Sequence, residues 1–95
     1  MTIRKAKPLF NLPQYLLEKY PTEIEADSRG NYHKAGNPLI KLYFNKYKGF
    51  WCWKDYSKNA IISGDDCVDY LIRFLDMEPA NAFYEIITYV ENNKS

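Results

Sequence analysis

Residues 38–54 read PLIKLYFNKYKGFWCWK, and this stretch predicts a β-hairpin. In its first arm Ile40, Leu42 and Phe44 alternate with lysine, tyrosine and asparagine, which is the two-residue period of a strand with one apolar face. The segment 46–49 is typical of a hairpin loop, with Gly49 available for a left-handed backbone. The return arm, residues 50–54, contains both tryptophans of the chain.

The alternation also predicts which side chains share a face of the hairpin. We expect the core face to carry apolar residues and a cysteine, namely Ile40, Leu42, Phe44, Phe50 and Cys52. The opposite face then holds Lys41, Tyr43, Trp51 and Trp53. Because both faces carry large side chains, the second face is covered either by a helix or by a ligand.

The segments on either side of the hairpin are predicted to be helical. Before the hairpin, Asn11 is a candidate helix cap, Pro13 suits a first helical turn, and Pro21 ends the helix. After the hairpin, residues 63–66 have the composition of a helix start, and Pro79 opens a second helix. Along the sequence, the predicted sheet therefore lies between one helix and two further helices.

Together these elements predict one α+β domain with an N-terminal helix, a small antiparallel sheet and two C-terminal helices. Its 95 residues suffice for one domain with a single core. We expect the core domain to span residues 11–90. Residues 1–10 are predicted to be a flexible basic tail, and residues 91–95 a polar tail.

The charges are strongly segregated along the chain, although the net charge is only +1. Residues 29–58 contain seven lysines and arginines and one acid, whereas residues 59–95 contain two basic residues and seven acids. Such asymmetry sets up a field that attracts a polyanion to one face. Alternatively, the two blocks attract each other across the fold.

Composition excludes several classes of protein. We see no apolar run of membrane-spanning length, and the two cysteines, fifteen positions apart, form neither a disulfide framework nor a metal knuckle. A cytoplasmic protein with reduced thiols is therefore expected. The sequence shows no nucleophile, phosphate-binding or paired-acid motif, so we expect no enzymatic activity.

A series of short segments follows the order and spacing of a known family. The segments are residues 30–33, Pro38, the strand 39–44, the return Gly49-Phe50-Trp51-Cys52, the helix entry 63–71 and the helix start 78–82. Over residues 11–90 the chain resembles the zinc-ribbon domain of bacterial and phage DNA primases. Similar versions without zinc occur in replication proteins of mobile elements. The resemblance implies contact with single-stranded template DNA.

The resemblance also locates four positions at which that family binds zinc. They correspond here to Gly30, His33, Cys52 and Asp55, where the family has Cys, His, Cys and Cys. A glycine supplies no ligand, and a closed structural zinc site needs four, mostly thiolates. We therefore expect no zinc and no other cofactor.

The lysines and rings of the hairpin suggest single-stranded nucleic acid as the partner, because rings stack on bases and lysines meet phosphates. The hypothesis assigns Lys41, Lys46, Lys48 and Lys54 to phosphates. It assigns Tyr43, Tyr47, Trp51 and Trp53 to stacking, with Tyr56 as a further candidate. In the competing interpretation the tryptophans pack beneath the C-terminal helices and the lysines form a solvated rim.

A second hypothesis is a protein-interaction module, an accessory subunit or inhibitor that docks on a polymerase, helicase or other nucleic-acid enzyme. Its contact surface would be the aromatic face or the acidic helices, whose carboxylates are Asp65, Asp69, Asp76 and Glu85. Aromatic anchors are typical of interface hot spots. The first hypothesis places the chain in replication of a phage or mobile element.

Overall fold

A computed structural model describes residues 1–93 and confirms the predicted α+β class. Five antiparallel strands follow one another across the sheet in chain order, so every neighbour in sequence is a neighbour in space. The helices are α1 (Ile3–Ala6), α2 (Leu12–Lys19), α3 (Cys67–Phe74) and α4 (Pro79–Asn92). The strands are β1 (Ile24–Ala26), β2 (Tyr32–Lys34), β3 (Asn37–Asn45), β4 (Phe50–Asp55) and β5 (Gly64–Asp66).

The predicted flexible tail over residues 1–10 is corrected by the structure. Thr2 caps α1 by accepting a hydrogen bond from the Lys5 amide, and a 3₁₀ turn follows over Lys7–Leu9. Ala6 and Phe10 are buried, and the Phe10 ring lies 5.2 Å from the ring of Tyr15. This segment is ordered because Ala6 and Phe10 belong to the hydrophobic core.

The structure confirms the predicted starts of α2 and α4. The Asn11 side chain accepts a hydrogen bond from the Gln14 amide at 3.1 Å, which confirms it as the cap of α2. Pro79 lies in the first turn of α4, as predicted. Of the predicted polar tail 91–95, Glu91 and Asn92 form the end of α4, and residues 94 and 95 lie outside the described residues.

The predicted assignment of faces in the hairpin is wrong. Asn45 pairs with Phe50 across the four-residue loop, so Leu42 lies opposite Trp53 and Phe44 opposite Trp51. Both tryptophans therefore share the face of Ile40, Leu42 and Phe44, while Phe50 and Cys52 join Lys41 and Tyr43. A one-residue change of register moves every side chain of a strand to the other face, and the loop length sets that register.

The core lies between the tryptophan face of the sheet and the helices. Ile40, Leu42 and Trp53 are each at most 5% exposed and belong to one cluster with the apolar stripes of α2, α3 and α4. Phe44 is on this face but 45% exposed, because it lies near the hairpin tip. The predicted core role of Phe44 is thus corrected.

Asp66, at the junction between β5 and α3, connects the sheet, helix α3 and the N-terminal turn. Residues 64–66, predicted as a helix start, form β5, and the helix begins one residue later with Asp66 as its cap. Asp66 accepts from the Asp69 amide through Oδ1 and from Lys7 Nζ through Oδ2, each at 2.9 Å.

Within residues 1–93, no helix has the length and apolar composition needed to cross a membrane.

Candidate nucleic-acid interface

The sheet face turned away from the helices, here called the outer face, carries exposed lysines and tyrosines. Strand pairing places His33 opposite Lys41 and Lys41 opposite Lys54, which makes one row across β2, β3 and β4. Glu25 on β1 continues this row beyond His33. This row is therefore basic at its centre and acidic at its β1 end.

Rings flank this basic row on both sides. Tyr43, two residues beyond Lys41, is 39% exposed, and Tyr56, two residues beyond Lys54, is 55% exposed. Lys54 Nζ lies 5.1 Å from the centre of the Tyr56 ring, close enough for a cation–π contact. The side chains of Tyr56 and Lys54 thus lie together on the exposed surface.

The outer face is open only in part. Lys7 Nζ lies 4.6 Å above the Phe50 ring, and Cys52 is just 3% exposed. The accessible area is accordingly the part that contains Lys41, Tyr43, Lys54 and Tyr56, and Phe50 and Cys52 form its closed end.

The hairpin loop presents a second exposed group at the end of β3. The Asn45 side chain accepts hydrogen bonds from the amides of Tyr47 and Lys48 at 3.0 Å, and Gly49 has φ of +80°. Tyr47 is fully exposed, and Lys46 and Lys48 are exposed beside it. This turn thus presents the exposed ring of Tyr47 between Lys46 and Lys48 in sequence.

Trp53 does not belong to the exposed surface, contrary to the stacking role predicted for it. It is 2% exposed, its Nε1 donates to Asp69, and its ring meets the Phe74 ring edge-on at 5.0 Å. Trp51 is half-buried on the same helix-facing side and contacts Phe44 edge-on at 6.1 Å. For Trp53, packing beneath a C-terminal helix is the correct interpretation.

The lysines of the interface have no ion-pair partner among the described residues. Among residues 1–93, none of Lys41, Lys46, Lys48 and Lys54 forms a salt bridge. The backbone amides of Asn31 and Arg29 lower the pKa of Asp27, and Lys41 adds a smaller effect in the same direction. The field of Lys41 therefore reaches the turn between β1 and β2.

The basic and acidic blocks form no direct ion pair with each other in the described part of the chain. The ion pairs between side chains in the described part of the chain are Lys7–Asp66, Lys34–Glu23 and Arg73–Asp69. None of them joins residues 29–58 to residues 59–93. The alternative in which the two blocks attract each other across the fold therefore has no direct ion pair behind it in the described residues.

No protein-family model, curated protein or solved structure matches this chain. The resemblance to primase zinc ribbons accordingly rests on the residues quoted for it alone.

The four positions that correspond to zinc ligands are dispersed. Cys52 and Asp55 project from opposite faces of β4, His33 lies two strands away on β2, and Gly30 occupies a turn with φ of +81°. His33 Nδ1 is 2.9 Å from the Lys34 carbonyl oxygen, and Asp55 accepts from the Ser57 amide. In the part of the chain that the structure describes, no three potential ligands converge on one point.

The acids proposed for a protein contact are divided between internal and exposed roles. Asp69 accepts from Trp53 and Arg73, and Glu85 accepts from the Tyr15 hydroxyl at 3.2 Å. Asp65 and Asp76 are exposed. The acidic residues therefore stabilise the helix layer as well as charging its surface.

Two clefts flank Tyr43, and their lining includes residues that sequence reasoning did not single out. One, of about 410 Å³, lies between the turn Asp27–Asn31 and the sheet, with Arg29, Lys41 and Tyr56 in its lining. The other, of about 220 Å³, is lined by Lys48, Lys54 and residues 63–65. Arg29 could not be assigned to the site from local sequence patterns. It comes near Lys41 only because the turn between β1 and β2 lies against the sheet in the fold.

Proposed function

We propose that this chain is a small non-enzymatic domain that binds single-stranded DNA in the replication of a phage or mobile element, in the cytoplasm. The observation that supports it best is the outer face, where exposed Tyr43 and Tyr56 flank the cross-strand lysines Lys41 and Lys54. In this proposal the lysines form ionic contacts with the phosphates, and unpaired bases stack on the tyrosine rings. The loop residues Lys46, Tyr47 and Lys48 extend the same surface.

The chemistry of this face favours single strands over duplex. A ring stacks on a base only when the base is unpaired, and each stacked base contributes about 1–3 kcal/mol. The lysines recognise phosphate without regard to sequence. Little sequence preference and strong salt dependence are the expected properties.

Fluorescence anisotropy of a labelled oligo-dT at low salt tests the proposal directly. The label belongs on the DNA, because Trp53 is buried and Trp51 half-buried, so their emission reports poorly on the outer face. Tyr56→Ala should weaken binding, whereas Tyr84→Ala, which removes a ring 65% exposed on α4, should not. Equal loss in both variants, or no binding by the unmodified protein, would contradict the proposal.

A protein-docking function is a second candidate, favoured by the loop between β4 and β5. Ile61 is 99% exposed and Ile62 43% exposed, beside a groove that Ile40 and Phe74 help to line. Exposed apolar residues of this kind are typical of interaction sites. Co-purification of a polymerase or helicase that survives nuclease treatment and is lost in Ile61→Asp would support it, whereas a partner lost on nuclease treatment would favour DNA binding.

A further inference from the structure

Tyr43 is the residue that the two clefts of the outer face share. The larger cleft lies on the β2 side of Tyr43 and the smaller one on the β4–β5 side. The Tyr43 side chain is 39% exposed and lies between them. A flexible ligand that fills both clefts must therefore pass over this ring.

Each cleft also has its own lysine. Lys41 lines the larger cleft and Lys54 the smaller one, and the two lysines are directly opposite each other on β3 and β4. Like charges directly opposite one another destabilise a sheet. Neither lysine forms a salt bridge within residues 1–93, so the pair is available for an anion from outside.

We propose that the two clefts bind two adjacent nucleotides of one strand, one base in each, with the Tyr43 ring between the bases. The phosphate that joins the two nucleotides then lies over the Lys41–Lys54 pair. This inference rests on the proposed function and adds the mode of binding. The ligand unit is a pair of neighbouring unpaired nucleotides, held unstacked from each other.

Each cleft is lined by a further basic residue and by one acid. Arg29 and Asp27 line the larger cleft, and Lys48 and Asp65 line the smaller one. In the proposed mode Arg29 and Lys48 contact the phosphates on either side of the central one. The volume of the larger cleft, about 410 Å³, is within the range of small-ligand sites. Paired bases cannot separate around a ring, so a duplex is excluded from this mode.

Oligo-dT with two adjacent 2-aminopurines tests the separation of neighbouring bases, because this base fluoresces more strongly when it leaves the stack. Saturating protein should raise the emission of the adjacent pair. Tyr43→Phe should keep the rise, and Tyr43→Ala should abolish it and weaken binding about 5- to 150-fold. Tyr84→Ala, which removes an exposed ring on α4 away from the outer face, is the matched control and should keep the rise.

The outcomes separate this inference from the function on which it rests. If the anisotropy assay detects binding but the emission does not rise, or rises equally with Tyr43→Ala, the base-separation mode is overturned and the DNA-binding function stands. If no oligonucleotide binds, both fail. Circular dichroism of each variant establishes that the fold is intact, and Tyr43→Phe keeps the test valid if Tyr43→Ala does not fold.

Discussion

The indole Nε1 of Trp53 donates a hydrogen bond to Oδ2 of Asp69 at 3.1 Å, which ties the central hairpin to helix α3. The same carboxylate accepts from Arg73 Nε at 3.0 Å, and the Arg73 guanidinium lies 5.7 Å from the Trp53 ring centre. A buried indole needs a partner for its N–H, and here one acid satisfies both donors. Trp53 is thus a structural residue with its polar atom paired.

Replacing Trp53 by phenylalanine should lower the free energy of unfolding by about 1–3 kcal/mol, because it removes the hydrogen bond to Asp69 and leaves a partial cavity. Urea denaturation measures the change. Trp51→Phe, at a half-buried position where Trp51 has no indole hydrogen bond among the described residues, should cost clearly less. Equal losses would show that Trp53 is not the better packed of the two.

Gly64 lies so close to its neighbouring strand that a side chain does not fit. A Cβ at this position would be 2.5 Å from the Trp53 carbonyl oxygen, a backbone atom that cannot move independently of β4. Gly64→Ala should therefore lower the free energy of unfolding by about 1–3 kcal/mol. Thermal or urea unfolding checks this, with Ser63→Ala next to it expected to stay within about 0.5 kcal/mol of wild type.

Asp66 supports both the start of α3 and the N-terminal turn. Asp66→Ala should destabilise the protein by about 1–2 kcal/mol, because the Asp69 amide loses its cap. Asp66→Asn keeps a capping oxygen and removes only the charge that pairs with Lys7, so its loss should be smaller. If both substitutions prove equally harmful by urea denaturation, the ion pair and not the cap is the main contribution.

Stability should fall at alkaline pH because of Cys67. Burial raises the pKa of this thiol from 9.0 to about 12. The folded state therefore holds the proton more tightly than the unfolded state, so this contribution is fully present below pH 9 and is lost between pH 9 and 12. Urea unfolding at pH 8 to 11 should show a shallower decline for Cys67→Ala, by up to about 1.4 kcal/mol per pH unit. Identical slopes would mean that the thiol titrates normally in the fold.

The salt dependence of DNA binding should report on the lysine row. Each phosphate contact that is lost lowers the slope of log affinity against log salt by roughly one. In the proposed mode Lys41 and Lys54 contact the same phosphate, so the double variant Lys41→Gln/Lys54→Gln should lower the slope by roughly one. Lys19→Gln, which changes an exposed lysine on α2, should not change it. Anisotropy titrations between low and moderate salt provide the measurement, and an unchanged slope in the double variant would place the phosphates elsewhere.

The order of elements could be predicted because its signals are local. The Asn11 cap, Pro21 after α2, the alternation in β3 and Pro79 at the start of α4 each depend on a few neighbouring residues. The N-terminal turn could not, since the burial of Phe10 depends in part on distant partners such as Tyr89.

The site could be predicted only in part, for a reason that lies in the hairpin register. Lys41 and Tyr43 share a face by simple alternation, and this part of the prediction is correct. Which residues of β4 join them depends on the pairing of Asn45 with Phe50, which places odd positions opposite even ones. The same pairing that moves Trp53 into the core brings Lys54 and Tyr56 to the open surface.

The separation of basic and acidic residues gives the molecule an electric polarity with consequences for its own association. The cations of residues 29–58 lie on β2 to β4 and their connections, and the acids of residues 59–93 lie on β5, α3, α4 and the connection between α3 and α4. Two copies attract when the sheet of one faces the helices of the other, and repel when like layers meet. Since the screening length is about 10 Å at 0.1 M salt, any such attraction between two copies weakens as ionic strength rises.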